Sequence, residues 1–192
     1  MDLAGGRRGF AGVGVTLGMW WTYFTMPSAE VLHIFRSAKA FAWGYGHLPV
    51  FMSIAATGAG LHVAADYLQQ TAGEPADEGA AGAHHIDAVT AVLAVVLPET
   101  LYIIGLFVIY SRLVGEIDRF HLLLIGGATV FLVLPAVLVI RGVALPVCLL
   151  ALTLAPVVSV IGYERVGHAR QAEVIRRLQD AAGDRATETG ER

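Results

Sequence analysis

Glu99 directly follows Pro98 near the middle of an apolar run, Ala88–Tyr110. An acidic residue at the centre of a membrane-crossing helix costs on the order of 3 kcal/mol on insertion scales. Pro98 has no N–H, so it leaves the carbonyl of Ala94, four residues earlier, without its helical donor. A broken helix beside a buried carboxyl is a recurrent arrangement in transport sites. The plainer chemistry open to Glu99 is a protonated acid bonded to Tyr102, or to a neighbouring helix, as packing glue. Both readings stay open.

Three other groups could do polar chemistry. His62 and Asp66 are four apart and can touch on one helix face. They read as a self-satisfying pair near one interface, or as part of an ion or proton path, since ionisable groups at depth face the bundle interior. His47 reads as an interfacial hydrogen-bonder, or as a proton or ligand site at the mouth of a span. The spacing of His47 and His62, ~22 Å along a helix, would suit two separate haems. Each haem needs a second axial ligand, and the other apolar runs contain no interior His. No cofactor is expected. The single cysteine, Cys148, can form neither an intramolecular disulfide nor a zinc cluster. With no Ser/His/Asp, Cys/His or metal-ligand set at credible spacing, the chain does not read as an enzyme.

The elements that hold these groups are apolar helices. The 192 residues are 56% hydrophobic and 15% charged, against about 25% charge in a soluble domain. Several runs approach the ~20 residues that cross a bilayer as a helix. The fold class predicted is all-α, a polytopic transmembrane bundle of about five helices, with the lipid bilayer as its main partner. No basic patch is interleaved with aromatics, so nucleic acid is not expected. The spans are read as Phe10–Met26, Leu48–Leu68, Ala88–Tyr110, Phe120–Ile140 and Val143–Tyr163. They make one bundle over residues 1–164, followed by a cytoplasmic tail over 165–192 that is helical, then disordered.

Within this frame Gly14 and Gly18 form a GxxxG, and Ala56, Gly60 and Ala64 a small-residue stripe, both suited to close helix approach. Ser28–Ala40 reads as a short interfacial amphipathic segment. Pro49 suits the first turn of a helix. Starting that span at Ala40 would make it ~43 Å long, so Gly44–His47 reads as the membrane entry or a kink. Pro98–Glu99 is expected to break the third span. Trp20, Trp21, Tyr23 and Trp43 sit at predicted span ends, where amphipathic rings favour the headgroup level. They read as interfacial anchors, with an aromatic ligand pocket as the alternative.

The stretch "WWTYF", a gap, then "GYGHLPVFMSIAATGAGLHVA" resembles the low temperature requirement A (LtrA) family of bacterial membrane proteins, over that family's C-terminal half. The likeness is sharpest over Trp20–Ala64 and continues through the order of spans to about Gly162. Two departures stand out. Thr25 occupies a place where the family often has an acidic residue, and the family's N-terminal half has no counterpart. The resemblance implies an integral inner-membrane protein without an established biochemical activity, and it assigns no catalytic residue.

The function expected is movement of a small solute or proton. The alternative is a non-transporting assembly or stress-response factor whose polar residues only set helix packing. A half-length pattern is expected to pair with a second copy, or with a separate subunit like the missing half. Five spans would put Arg36, Lys39, Arg112, Arg119, Arg165, Arg170, Arg176 and Arg177 on one side and Arg7, Arg8 and Arg141 on the other. The positive-inside rule then predicts a multi-pass protein of the bacterial inner membrane, N-terminus periplasmic and C-terminus cytoplasmic.

Overall fold

The computed structural model describes residues 3–25, 37–72, 86–114 and 119–162, together with 164–165, 172–173, 176–177 and 180 of the tail. The regular elements among them are all helices: α1 Leu3–Thr25, α2 Ser37–Ala72, α3 Ala88–Val114, α4 Arg119–Ile140, α5 Leu145–Leu152 and α6 Leu154–Gly162. The all-α bundle is therefore the observed fold. Four stretches are long and apolar enough to cross a membrane: Trp43–Ala72, Ala88–Arg112, Leu122–Ile140 and Leu145–Gly162. The fifth expected span, α1, is not among them, because its glycines, threonines and tryptophans dilute its aliphatic residues.

α1 nonetheless runs beside the others over the same depth. Gly12 approaches Leu61 and the Tyr23 ring meets His47, so α1 is antiparallel to α2. Gly14 lies against Thr153 and Gly18 against Pro156, so α1 is parallel to the α5–α6 pair. A Cβ on Gly18 would come within 2.5 Å of the Pro156 ring. The GxxxG surface is thus filled from within the chain. α2 and α3 are antiparallel, with Gly46 against Ile109, Val50 against Gly105 and Gly60 against Ala94. Gly127 with Val158, and Gly162 with Leu124, set α4 antiparallel to α6. The result is an up-and-down bundle with α3 as its most buried member.

The outer faces are apolar. Leu97, Leu101, Ile104 and Val108 of α3 point outward, as do Leu48, Phe51 and Met52 of α2 and Val130, Val133 and Val137 of α4. In water so large an apolar surface would aggregate. In a bilayer it matches the lipid.

Helix ends follow local chemistry. Asp87 caps α3, its Oδ1 accepting from the Thr90 N–H at 2.7 Å. After α4, Gly142 takes φ +78, a left-handed conformation that glycine adopts without cost. The Gly142 N–H bonds Val139 O and the Val143 N–H bonds Leu138 O, which closes the tight turn expected at Arg141–Gly142. The last span divides at Thr153, where Pro156 removes the donor for Leu152 O.

Two boundaries differ from the sequence reading. α2 is one helix through Pro49, not a helix that starts there. α3 likewise continues through Pro98, which removes one rung without ending the ladder. Packed neighbours keep such helices together despite the missing bond. Of the small-residue stripe, Gly60 and Ala64 are buried but Ala56 is exposed. The interfacial segment expected over Ser28–Ala40 lies outside the described residues as far as Arg36. Residues 73–85, with His84–His85, and the end of the tail also lie outside them. In the described tail, Glu173 accepts from Arg176 and Arg177.

Candidate functional site

A polar seam lies between α2, α3 and α1. On α2 the buried positions are His47, Val50, Ser53, Thr57, Gly60 and Ala64, spaced three and four apart. This spacing keeps one face turned to α3. Glu99 lies between Ala94, opposite Gly60, and Gly105, opposite Val50, so it stands at the level of Ser53 and Thr57. It is also the twelfth of the 25 residues of the Ala88–Arg112 stretch, one short of its midpoint.

Glu99 has no exposed surface, and neither carboxyl oxygen has a hydrogen-bond partner. Among the described residues it is the only Asp, Glu, Lys or Arg side chain that is buried. The hydroxyls around this level are committed to backbone. Ser53 donates to Pro49 O at 2.7 Å, Thr57 to Ser53 O at 2.8 Å and Thr22 to Gly18 O at 2.8 Å. Tyr102 donates to Met19 O at 2.5 Å, across the seam on α1. The expected bond between Glu99 and Tyr102 is therefore not made, because the Tyr102 ring reaches over to α1. An unpartnered neutral polar group in apolar surroundings costs roughly 2–7 kcal/mol, and an isolated carboxylate costs more.

Toward the end of the bundle where α1 finishes, the seam becomes aromatic. His47 is buried, and its Nδ1 lies 2.7 Å from Trp43 O. With that carbonyl as acceptor Nδ1 carries a proton, and in the neutral ring Nε2 holds the lone pair. The imidazole packs against Trp43 at 4.3 Å, Tyr23 at 5.8 Å and Phe51 at 5.9 Å between centroids. Trp43 Nε1 is buried without a partner. Glu99 and Tyr102 are three apart on α3 and both buried, and Met19, whose carbonyl the Tyr102 hydroxyl meets, lies one turn before Tyr23 on α1. His47 with Tyr23, then Tyr102, then Glu99 thus occupy successive levels from that end of the bundle to its middle, on three helices.

The other candidates stand apart from this line. His62 and Asp66 do pair, Nδ1 to Oδ1 at 3.4 Å, but their side chains are 80% and 43% exposed. Position 62 lies two residues beyond the buried Gly60, more than half a turn around the helix, so the pair faces away from the bundle interior. Trp20 and Trp21 point outward, whereas Tyr23 and Trp43 are half-buried and turn toward His47. An apolar groove of about 650 Å³ opens between α1 and α2 near Gly12, Thr16, Leu61 and Leu68, and includes neither Glu99 nor His47.

The buried hydroxyls of Ser53, Thr57 and Thr22 and the unpartnered Trp43 N–H are not singled out by the sequence reading. The signal for the first two was the three-and-four spacing from His47 to Ala64.

Residues 5–158 match the family model described as Bacterial low temperature requirement A protein (LtrA). No curated protein and no solved structure matches the chain.

Proposed function

The chain belongs to the LtrA family, an integral multi-pass membrane protein by its apolar helices, and on that premise we propose that it translocates a proton or a small solute, with Glu99 as the carrying group. The observation behind this reading is the Glu99 carboxyl, buried at mid-bundle without a hydrogen-bond partner. Packing glue would have found an acceptor or donor, because each buried polar group left unpaired costs stability. A carrier must instead be able to lose its partner, since binding and release require two states of similar energy. The missing rung at Ala94, one turn away, supports local adjustment of α3 at this level.

The proposal includes placement in the bacterial inner membrane, with the N-terminus periplasmic and the tail cytoplasmic. Lys and Arg asymmetry among the connecting segments supports that orientation.

The test is a flux screen with purified protein in lipid vesicles, following internal pH and the release of trapped small solutes, for wild type and Glu99→Gln. Translocation requires a wild-type flux that the Glu99→Gln variant does not support. A wild type that moves neither protons nor solutes would leave the assembly-factor reading in its place.

A further inference from the structure

We infer that the species Glu99 holds is a proton, and that it arrives by way of His47, Tyr23 and Tyr102 from the end of the bundle where α1 finishes. This rests on the translocation reading above and gives it a substrate class and an entrance.

The carboxyl oxygens are closed to water in this arrangement, which favours a species that neighbouring side chains can hand over. A metal cation would need several oxygens turned toward it. No second carboxylate is buried among the described residues to share its charge. A proton needs one lone pair.

The two directions out of the site are not alike. Toward Gly60 the seam closes: the Gly60 backbone packs on Ala94 O with Val95 beside it, and beyond lie Ala64, Ala91 and Val92, all buried. None of these passes a proton in this arrangement, so release on that side requires the α2–α3 contact at Gly60 to open. Toward Val50 the seam holds Tyr102, its hydroxyl on Met19 O of α1, and one turn further along α1 Tyr23, whose ring meets His47 edge-on at 5.8 Å. The titratable groups turned inward near Glu99 are Tyr23 of α1, His47 of α2 and Tyr102 of α3. Tyr110 lies farther along α3, and Cys148 is buried on α5. The described buried positions of α4 and α6 carry no titratable side chain.

The relay balances. His47 takes a proton at Nε2 and, as imidazolium, gives one up to a hydroxyl lone pair. Each tyrosine accepts one proton and releases its own. One proton enters at His47 and one arrives on the Glu99 carboxylate, with both tyrosines neutral before and after. Tyr102 must leave Met19 O to take part, so the observed hydrogen bond holds the relay open-circuited.

The experiment uses the full-length protein in vesicles with a trapped pH-sensitive dye and a potassium–valinomycin potential to drive protons inward. Tyr102→Phe and His47→Gln keep the ring or the polar reach of the side chain, and Thr129→Val, on an outward face of α4, serves as control. All variants are first matched for elution profile and helicity. The expected result is wild-type acidification, unchanged in Thr129→Val, abolished in Glu99→Gln and slowed about 10-fold or more in Tyr102→Phe and His47→Gln. Acidification that needs Glu99 but ignores both relay variants overturns the route and leaves the carrier reading standing. Glu99-dependent release of trapped glycerol or glycine without acidification overturns the proton and again leaves that reading standing. No flux of any kind removes both.

Discussion

The backbone of Gly60 rests on the carbonyl oxygen of Ala94, the acceptor that Pro98 leaves without its helical donor. A Cβ at position 60 would collide with that carbonyl, so only glycine lets α2 and α3 cross at this distance. A Cα–H approach to a carbonyl is itself weakly favourable. Two irregularities far apart in sequence therefore meet at one point, a turn from Glu99.

Gly60→Ala should be strongly destabilising, by about 3 kcal/mol, because the obstructing atoms are backbone and cannot swing aside. Gly58→Ala, with open space around its Cβ, should stay within about 1 kcal/mol of wild type on the stabilising side. Thermal unfolding of both in mild detergent checks this. Equal melting temperatures would mean that the α2–α3 crossing is looser than described.

Glu99→Met should stabilise the fold by about 1–3 kcal/mol, since it removes a buried polar group that has no partner. Denaturation followed by helicity would measure it. A loss of stability would mean that the carboxyl holds helices together, in favour of the assembly-factor reading.

Tyr102→Phe should cost only about 0.5–1.5 kcal/mol, because Met19 O loses one side-chain donor and the ring keeps its packing. Tyr102→Ala should cost about 3–5 kcal/mol through the cavity it leaves. If Phe were as damaging as Ala in the same unfolding series, the hydroxyl would be doing more than bridging α3 to α1.

Much of the fold is legible in the chain. Apolar run length places α3 and α4, and Arg141–Gly142 marks the turn after α4, because these depend on composition and on residues adjacent in sequence. Pro49 is ambiguous: the same residue fits a first turn or a tolerated interior position, and packing of α2 on α3 decides. Glu99 is conspicuous by type and depth, yet its lack of a partner is not legible, since Tyr102 could bond along its own helix or across to α1. The meeting of Tyr23 with His47, and the outward aim of His62 and Asp66, depend on how α2 is rotated against its neighbours. That rotation follows from the spacing of Val50, Ser53, Thr57, Gly60 and Ala64 taken together, not from any one of them.

The proposed orientation can be read with reporter fusions. Alkaline phosphatase inserted in the Gln69–Asp87 connection should be active, and green fluorescent protein placed after Arg177 should fluoresce. The reverse pattern would invert the bundle and put the His47 end outside.

The carrying role proposed for Glu99 is read from the flux rate of Glu99→Gln beside wild type at matched protein density in the same vesicles. Gln keeps the shape and loses the exchangeable acid, so the rate should fall by about 100-fold or more. An unchanged rate would contradict the account.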